Sequence, residues 1–164
     1  MKSASIDPLT GLYNRQAYYT ELEKNGNKIT AVISVDMNGL KKLNDECGHA
    51  RGDEALIYIS KGIRDGLRKG ATAYRTGGDE FVILCHDMDF LDVDDIVDSV
   101  QNNINVRGIY NVAIGYAIKK ESWQDANKLI IEADKVMYQN KIAVKEAQAQ
   151  AEIDSQNIET KNEE

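Results

Sequence analysis

Apolar positions recur along this chain with two periods, and the switches between them divide it into elements. Asn14 is a good helix cap and precedes a stretch that runs to Lys24 and ends at Asn25-Gly26-Asn27, which predicts a helix. The run from Ile29 to Met37 is short and β-branched at Ile29, Val32, Ile33 and Val35, so it predicts a buried strand closing at Asp36. The next turn, Asn38-Gly39-Leu40-Lys41-Lys42, opens a short helix. Ala55, Leu56, Ile59, Ile63 and Leu67 fall at helical spacing within an amphipathic helix over residues 51–68. Residues 71–75 and 81–85 predict two strands, and Gly77-Gly78-Asp79 between them is a hairpin signal, because glycine supplies the positive φ that tight turns need. Ile96, Val97, Val100 and Ile104 mark another helix, and residues 112–118 a further strand. The last helix is expected from Trp123 to about Glu146, with Leu129, Ile130, Ala133, Val136 and Met137 on its inner face.

The order α-β-α-α-β-β-α-β-α predicts an α+β fold: one mixed, mainly antiparallel sheet with a central β-hairpin, flanked by helices. No internal repeat is present. Residues 1–146 form the expected domain. Beyond Glu146 apolar content collapses into Gln, Glu, Asn and Lys, so residues 147–164 are expected to be a polar tail, frayed helix or disordered.

A length of 164 residues fits one domain with a proper core, and 42% apolar with 29% charged residues is ordinary for a globular protein. The net charge of −7 argues against a nucleic-acid backbone as partner but leaves room for one small phosphate ligand, because a bound cation reverses the local field. Cys47 and Cys85 sit in unrelated contexts without CxxC spacing, as expected of free thiols in a reducing compartment. No apolar run is long enough to cross a bilayer, and the first residues lack the apolar core of a signal peptide. The expected location is the cytoplasm, either alone or as the cytoplasmic part of a larger protein.

Acids at strand ends are the first candidates for chemistry. Asp36 closes the first strand and Asp79-Glu80 occupy the hairpin tip, so neighbouring strands would bring them to one edge. Clustered carboxylates repel unless a cation joins them, and oxygen-only ligands favour Mg²⁺ or Mn²⁺ over zinc. The turn at Gly39, Leu40 and Lys41 has the makings of a phosphate cradle: amides at a helix start, a glycine permitting close approach, and a point charge. Many ordinary strand-to-helix turns share those features. Asn44 and Asp53 lie in a polar cluster with Asp45, Gly48, His49 and Gly52. A carboxylate accepts hydrogen bonds from guanine N1–H and its exocyclic amine, and an Asn amide can serve O6 or N3. His49 is better explained as structural.

These residues resemble the GGDEF family of diguanylate cyclases over about residues 7–141. The signature stands unaltered as Gly77-Gly78-Asp79-Glu80-Phe81, preceded by Arg75. Asp7-Pro8-Leu9-Thr10-Gly11-Leu12-Tyr13-Asn14-Arg15 matches the family's opening DxLTGLxNR, and residues 44–53 match its NDxxGHxxGD. Residues 133–141, from Ala133-Asp134 through Tyr138 to Lys141, resemble its ADxxxYxxK. The resemblance implies a nucleotidyl-cyclase, polymerase-palm-like fold and the condensation of two GTP into cyclic di-GMP for bacterial second-messenger signalling. It implies that Asp36, Asp79 and the carbonyl of Met37 bind the metal, that Asp79 is the base and Glu80 its support, and that Asn44 and Asp53 read guanine. Lys41, Lys141 and Lys145, with amides around Gly39 and Leu40, would hold the triphosphate. One domain holds one GTP, so a second copy must face it as a transient homodimer. The motifs begin almost at residue 1, which implies a sensor or regulatory domain supplied from elsewhere.

Departures from the family pattern are Asn38 and Leu40, where Asp and Phe are frequent, and Val144-Lys145-Glu146, where Gly-Arg-Asn is usual. Lys145 keeps the charge without the bidentate fork. The inhibitory Arg-x-x-Asp reads Arg68-Lys69-Gly70-Ala71, so only Arg68 is left and weak product inhibition is expected. A non-catalytic sensor of GTP or a cyclic dinucleotide is the alternative, and retention of Asp36, Asp79 and Glu80 weighs against it. Asp53 weighs against a cyclase of relaxed base choice, because a carboxylate repels the lone pair on adenine N1. Polar and glycine residues concentrated in loops weigh against a plain interaction domain.

Overall fold

The computed structural model describes residues 2–162. Its helices are α1 (Arg15–Asn25), α2 (Leu40–Cys47), α3 (His49–Gly66), α4 (Phe90–Asn105) and α5 (Ala126–Asn162), and its strands β1 (Ile29–Met37), β2 (Ala71–Arg75), β3 (Glu80–His86) and β4 (Val112–Ile118). The four strands form one sheet in the order β2-β3-β1-β4, with every neighbouring pair antiparallel. This is the α+β architecture the pattern predicts. β1 is central and buried along nearly its whole length, which explains its almost continuous apolar sequence.

Two apolar layers cover the sheet. On one face Ile33, Val35, Ile83 and Phe81 pack with Ile59 and Ile63 of α3 and with Ile96 and Ile104 of α4. On the other Val32, Leu84 and Tyr74 pack with Tyr18 of α1 and with Leu129 and Ala133 of α5. Strand alternation decides which side each residue serves, so Ser34 and Asp36 share the α5 face with Val32. Gly115 lets α5 lie directly on β4: a Cβ there would overlap the backbone nitrogen of Met137 and the carbonyl of Ala133. Cys85 is a free thiol buried in the sheet, its pKa pushed up to about 12 by burial, and Cys47 is free and exposed.

Capping accounts for the helix starts. Asn14 Oδ1 accepts the Ala17 N–H at 2.9 Å, as its cap position predicts. Asp89 and Asp92 form a reciprocal capping box on α4. The last helix differs from the expected one at both ends. It starts at Ala126 because Asp125 Oδ1 accepts the Lys128 N–H at 2.9 Å, which leaves Trp123 exposed in the preceding loop. It continues past Glu146 to Asn162, where the composition pointed to frayed helix or disorder. Loss of apolar residues removes packing partners, but Ala, Gln, Glu and Lys are good helix formers and no Gly or Pro interrupts them. Glu163 and Glu164 lie outside the described residues. No described helix is long and apolar enough to cross a membrane.

Gly115→Val should destabilise the domain by roughly 1–3 kcal/mol through overpacking. Urea unfolding checks this, and a variant as stable as wild type would show that α5 does not depend on that close contact.

Candidate active site

β1 and β3 place the acids. Asp36 pairs with Glu80 across the two strands, and the Met37 N–H donates to the Asp79 carbonyl at 2.9 Å, so the end of β1 is stitched to the hairpin tip. Asp36 is buried, and its Oδ1 has no hydrogen-bond partner. Its Oδ2 accepts from Lys141 Nζ at 2.8 Å, an ion pair reaching from α5 to the strand end. Burial raises the Asp36 pKa, the Lys141 ammonium opposes that rise, and Asp79 adds to it. Lys141 is raised in turn, first by its hydrogen bond to Asp36. Glu80 is also raised, first by burial and then by the charges of Asp36, Asp79 and Asp134. The sequence-predicted acids therefore converge, with a single lysine among them.

The hairpin that carries Asp79 is braced by a contact that sequence reasoning missed. Asp7 Oδ2 accepts from the Thr10 N–H at 3.0 Å and the Thr10 hydroxyl at 2.7 Å, which closes the opening turn on itself. Arg75 Nη1 donates to the two oxygens of Asp7 at 3.3 and 3.2 Å, and its Nη2 donates to the Gly78 carbonyl at 2.9 Å. Burial would raise the Asp7 carboxyl, but Thr10 and Arg75 together hold it below its ordinary value. Asp7, Arg75 and Gly78 were all visible in the motifs, yet nothing local in the sequence joins residues so far apart.

Just beyond the same end of β1, Gly39 takes φ 75° and caps the start of α2. No protein atom crowds the place where its Cβ would stand, so within the chain it is the backbone angle that asks for glycine here. Lys41 is exposed on α2. Gly39 and Lys145 share a cleft of about 380 Å³ with Asn38, Lys42 and Arg51. Both polar atoms of the Asn38 side chain are buried without partners, a feature that its reading as a mere departure overlooked. Leu40 lies between α2 and α3, against Gly52.

The close packing of α2 on α3 sets Asn44 against Gly52, the chain neighbour of Asp53. A Cβ on Gly52 would overlap Asn44 Oδ1, so only glycine lets the amide sit beside the turn that carries exposed Asp53. Asn44 Oδ1 is buried and unpartnered. Buried polar atoms of this kind normally find a partner, and a ligand can supply one. His49 is exposed as the first residue of α3. Arg68 is engaged by α4: Nη2 donates to Asp95 Oδ2 at 2.7 Å and Nη1 to Asp92 Oδ1 at 3.4 Å.

Among the described residues no three acidic, His or Cys side chains form a ready-made cation cage. Mg²⁺ seldom uses one; it takes one or two carboxylates and completes its shell from substrate phosphates and water. Asp36, with an unpartnered buried oxygen, beside Asp79 fits that mode. Without a cation the acids cost stability. Glu80→Gln should therefore raise the melting temperature in metal-free buffer at neutral pH. The gain should shrink as pH falls through the raised titration range of Glu80, because protonation then removes the same charge from the wild type. A Glu80→Gln variant that melts lower at pH 7, or whose gain persists in acid, would contradict this repulsion.

Comparisons with known proteins identify the family. The family model described as diguanylate cyclase, GGDEF domain, matches residues 4–147. Diguanylate cyclase DgcN of Escherichia coli (strain K12) is 34% identical over 157 residues, covering 86% of this chain and 38% of that protein. Diguanylate cyclase DgcS of Shewanella oneidensis is 33% identical over 164 residues, covering 84% of this chain and 50% of that protein. The chain thus spans half or less of the length of these two relatives. The coiled coil and GGDEF domain of DgcB from Caulobacter crescentus, solved in complex with c-di-GMP, superposes with a TM-score of 0.78 at 23% identity, covering 87% of this chain and 83% of that one. With that model matching most of its length, the chain belongs to the GGDEF family of diguanylate cyclase domains.

Proposed function

We propose that this domain condenses two GTP molecules into cyclic di-GMP and releases two pyrophosphates. The observation that carries the reading is buried Asp36, half neutralised by Lys141 and unpartnered at its other oxygen, beside Asp79. An intact acid pair would have no use in a domain that only held a folded surface, because burying it costs free energy.

Asn44 and Asp53 read guanine, Asp53 accepting from N1–H and the exocyclic amine and the Asn44 amide serving O6 or N3. The amides of Gly39 and Leu40, with Lys41, Lys141 and Lys145, hold the triphosphate. Asp36, Asp79 and the Met37 carbonyl hold Mg²⁺ or Mn²⁺, which when bound neutralises charge on the phosphate and lowers the pKa of an attacking hydroxyl. Asp79 takes the proton from that 3′-hydroxyl, and Glu80 supports it. Lys141 keeps the pyrophosphate end oriented as it leaves. A second copy of the domain brings the second GTP, and a regulatory domain or partner controls how often two copies meet. The alternative reading, a GTP or cyclic-dinucleotide sensor, uses the same pocket without turnover.

Incubation with GTP and Mg²⁺ followed by chromatography tests the proposal. The wild type should form cyclic di-GMP with specific activity that rises with protein concentration, since two loaded domains must meet. Asp79→Ala should form none, and ATP should give no product, because a site built to hydrogen-bond guanine leaves its polar atoms unpaired against adenine. Added micromolar cyclic di-GMP should leave initial rates unchanged, with Ala71 in place of the inhibitory acid and Arg68 already paired. GTP bound tightly but never converted, at any protein concentration, would replace this reading with the sensor.

A further inference from the structure

The motif residues Arg15, Asp134 and Tyr138 have no part in the site described so far, yet α1 and α5 bring them together. They border a cleft of about 480 Å³ that lies over β1 and β3, next to the signature hairpin, and that Glu80 also lines. Asp134 is fixed there by the Ser34 hydroxyl, which donates to its Oδ1 at 2.6 Å. Arg15 is exposed at the start of α1, with Nη2 donating to the Tyr19 hydroxyl at 3.3 Å and its guanidinium over the Tyr19 ring at 5.5 Å. It forms no ion pair with a carboxylate among the described residues. Tyr138 on α5 is 62% exposed and also lines the cleft.

The position of this cleft relative to Asp36 gives it a meaning. Ser34 and Asp36 project from the same face of β1, and Asp134 and Lys141 meet them from one helix, two turns and about 10 Å apart along its axis. Along the strand the order is therefore Asp134 with Ser34, then Asp36 with Glu80 and Lys141, then the turn at Gly39. The phosphate-holding groups lie on one side of Asp36 and the acid-lined cleft on the other. In phosphoryl transfer the attacking and leaving oxygens are roughly in line across the phosphorus. If pyrophosphate leaves toward Lys141 and Lys145, the nucleophile arrives from the cleft.

Resting on the cyclase reading, we infer that this cleft receives the acceptor nucleotide, the ribose and α-phosphate of a GTP carried by a facing copy of the domain. Tyr19 and Tyr138 flank the sugar, and the unpaired N–H donors of Arg15 hold its phosphate. Glu80 and Asp134 repel a triphosphate tail, so the ribose end enters first. The bond from the acceptor 3′-oxygen to the α-phosphorus forms and the bond from that phosphorus to the β-bridging oxygen breaks. Pyrophosphate leaves toward the lysines, and the hydroxyl proton passes to the Asp79–Glu80 carboxylates. The same step in the facing domain closes the ring.

Arg15→Ala and Tyr138→Ala, both at exposed side chains, test the assignment with the full chain. Calorimetry with 3′-deoxy-GTP and Mg²⁺, a nucleotide that cannot attack, reads the domain's own GTP site; both variants should bind it within twofold of wild type. Their cyclic di-GMP formation should fall roughly tenfold or more at saturating GTP, as loss of a charge-assisted contact predicts, and Arg15→Lys should recover part of it. A tethered pair of one wild-type and one Arg15→Ala chain keeps one complete centre, so it should form the first bond and accumulate the linear dinucleotide triphosphate. Wild-type rates in both variants, binding losses that match the rate losses, or a mixed pair that cyclises without linear product would overturn the assignment. A wild type that binds 3′-deoxy-GTP but never converts GTP would instead overturn the cyclase reading, and the acceptor cleft with it.

Discussion

One ion pair, from Lys141 on α5 to Asp36 at the end of β1, governs the arrangement around it. Asp36 is held buried because β1 runs through the middle of the sheet, with β3 on one side and β4 on the other. A buried carboxylate beside another carboxylate would tend to take up a proton. Lys141 opposes that tendency while leaving one Asp36 oxygen unpartnered. The pair in turn depends on α5 lying close to the sheet, which the missing side chain at Gly115 permits. A breaking of this contact would alter both the charge at the strand end and the path of the longest helix.

The rest of the site is arranged by charge along one line. Acids gather where β1 meets β3, and lysines gather beyond them toward the start of α2. The opening turn holds the hairpin from outside through Asp7 and Arg75, so that the loop carrying Asp79 is tied down at Gly78. Flexible glycines at the tip would otherwise leave the acid free to swing, and a catalytic group gains most when its position is fixed before substrate binds. In the proposed reaction, this separation of acidic and basic sides would let one strand end face a leaving group and a nucleophile from opposite directions.

Much of this was legible in the sequence, and the parts that were not share a cause. The period of apolar residues located every strand, and the positions of Asp36 and Asp79 at strand ends followed from it. The opening of α1 at Asn14 was legible because a cap is a local contact. The start of α5 at Asp125 is equally local, but Trp123 drew the boundary earlier because an aromatic residue looks like the beginning of an apolar face. The tail was left open between frayed helix and disorder because polarity reports on packing and says little about helix propensity. The Asp7–Arg75 bridge, the Ser34–Asp134 bond and the seating of Asn44 on Gly52 join residues distant in sequence or on separate elements, so only the fold displays them.

In the proposed site the Asp36 and Asp79 carboxylates and the phosphates of GTP share one divalent cation. Calorimetric titration of GTP, with and without Mg²⁺, in wild type and Asp79→Ala tests it most directly. GTP should bind tightly to the wild type only when Mg²⁺ is present, and weakly to Asp79→Ala whether or not it is. Equal GTP affinity in the presence and absence of the cation, or undiminished cation-dependent binding by Asp79→Ala, would contradict it.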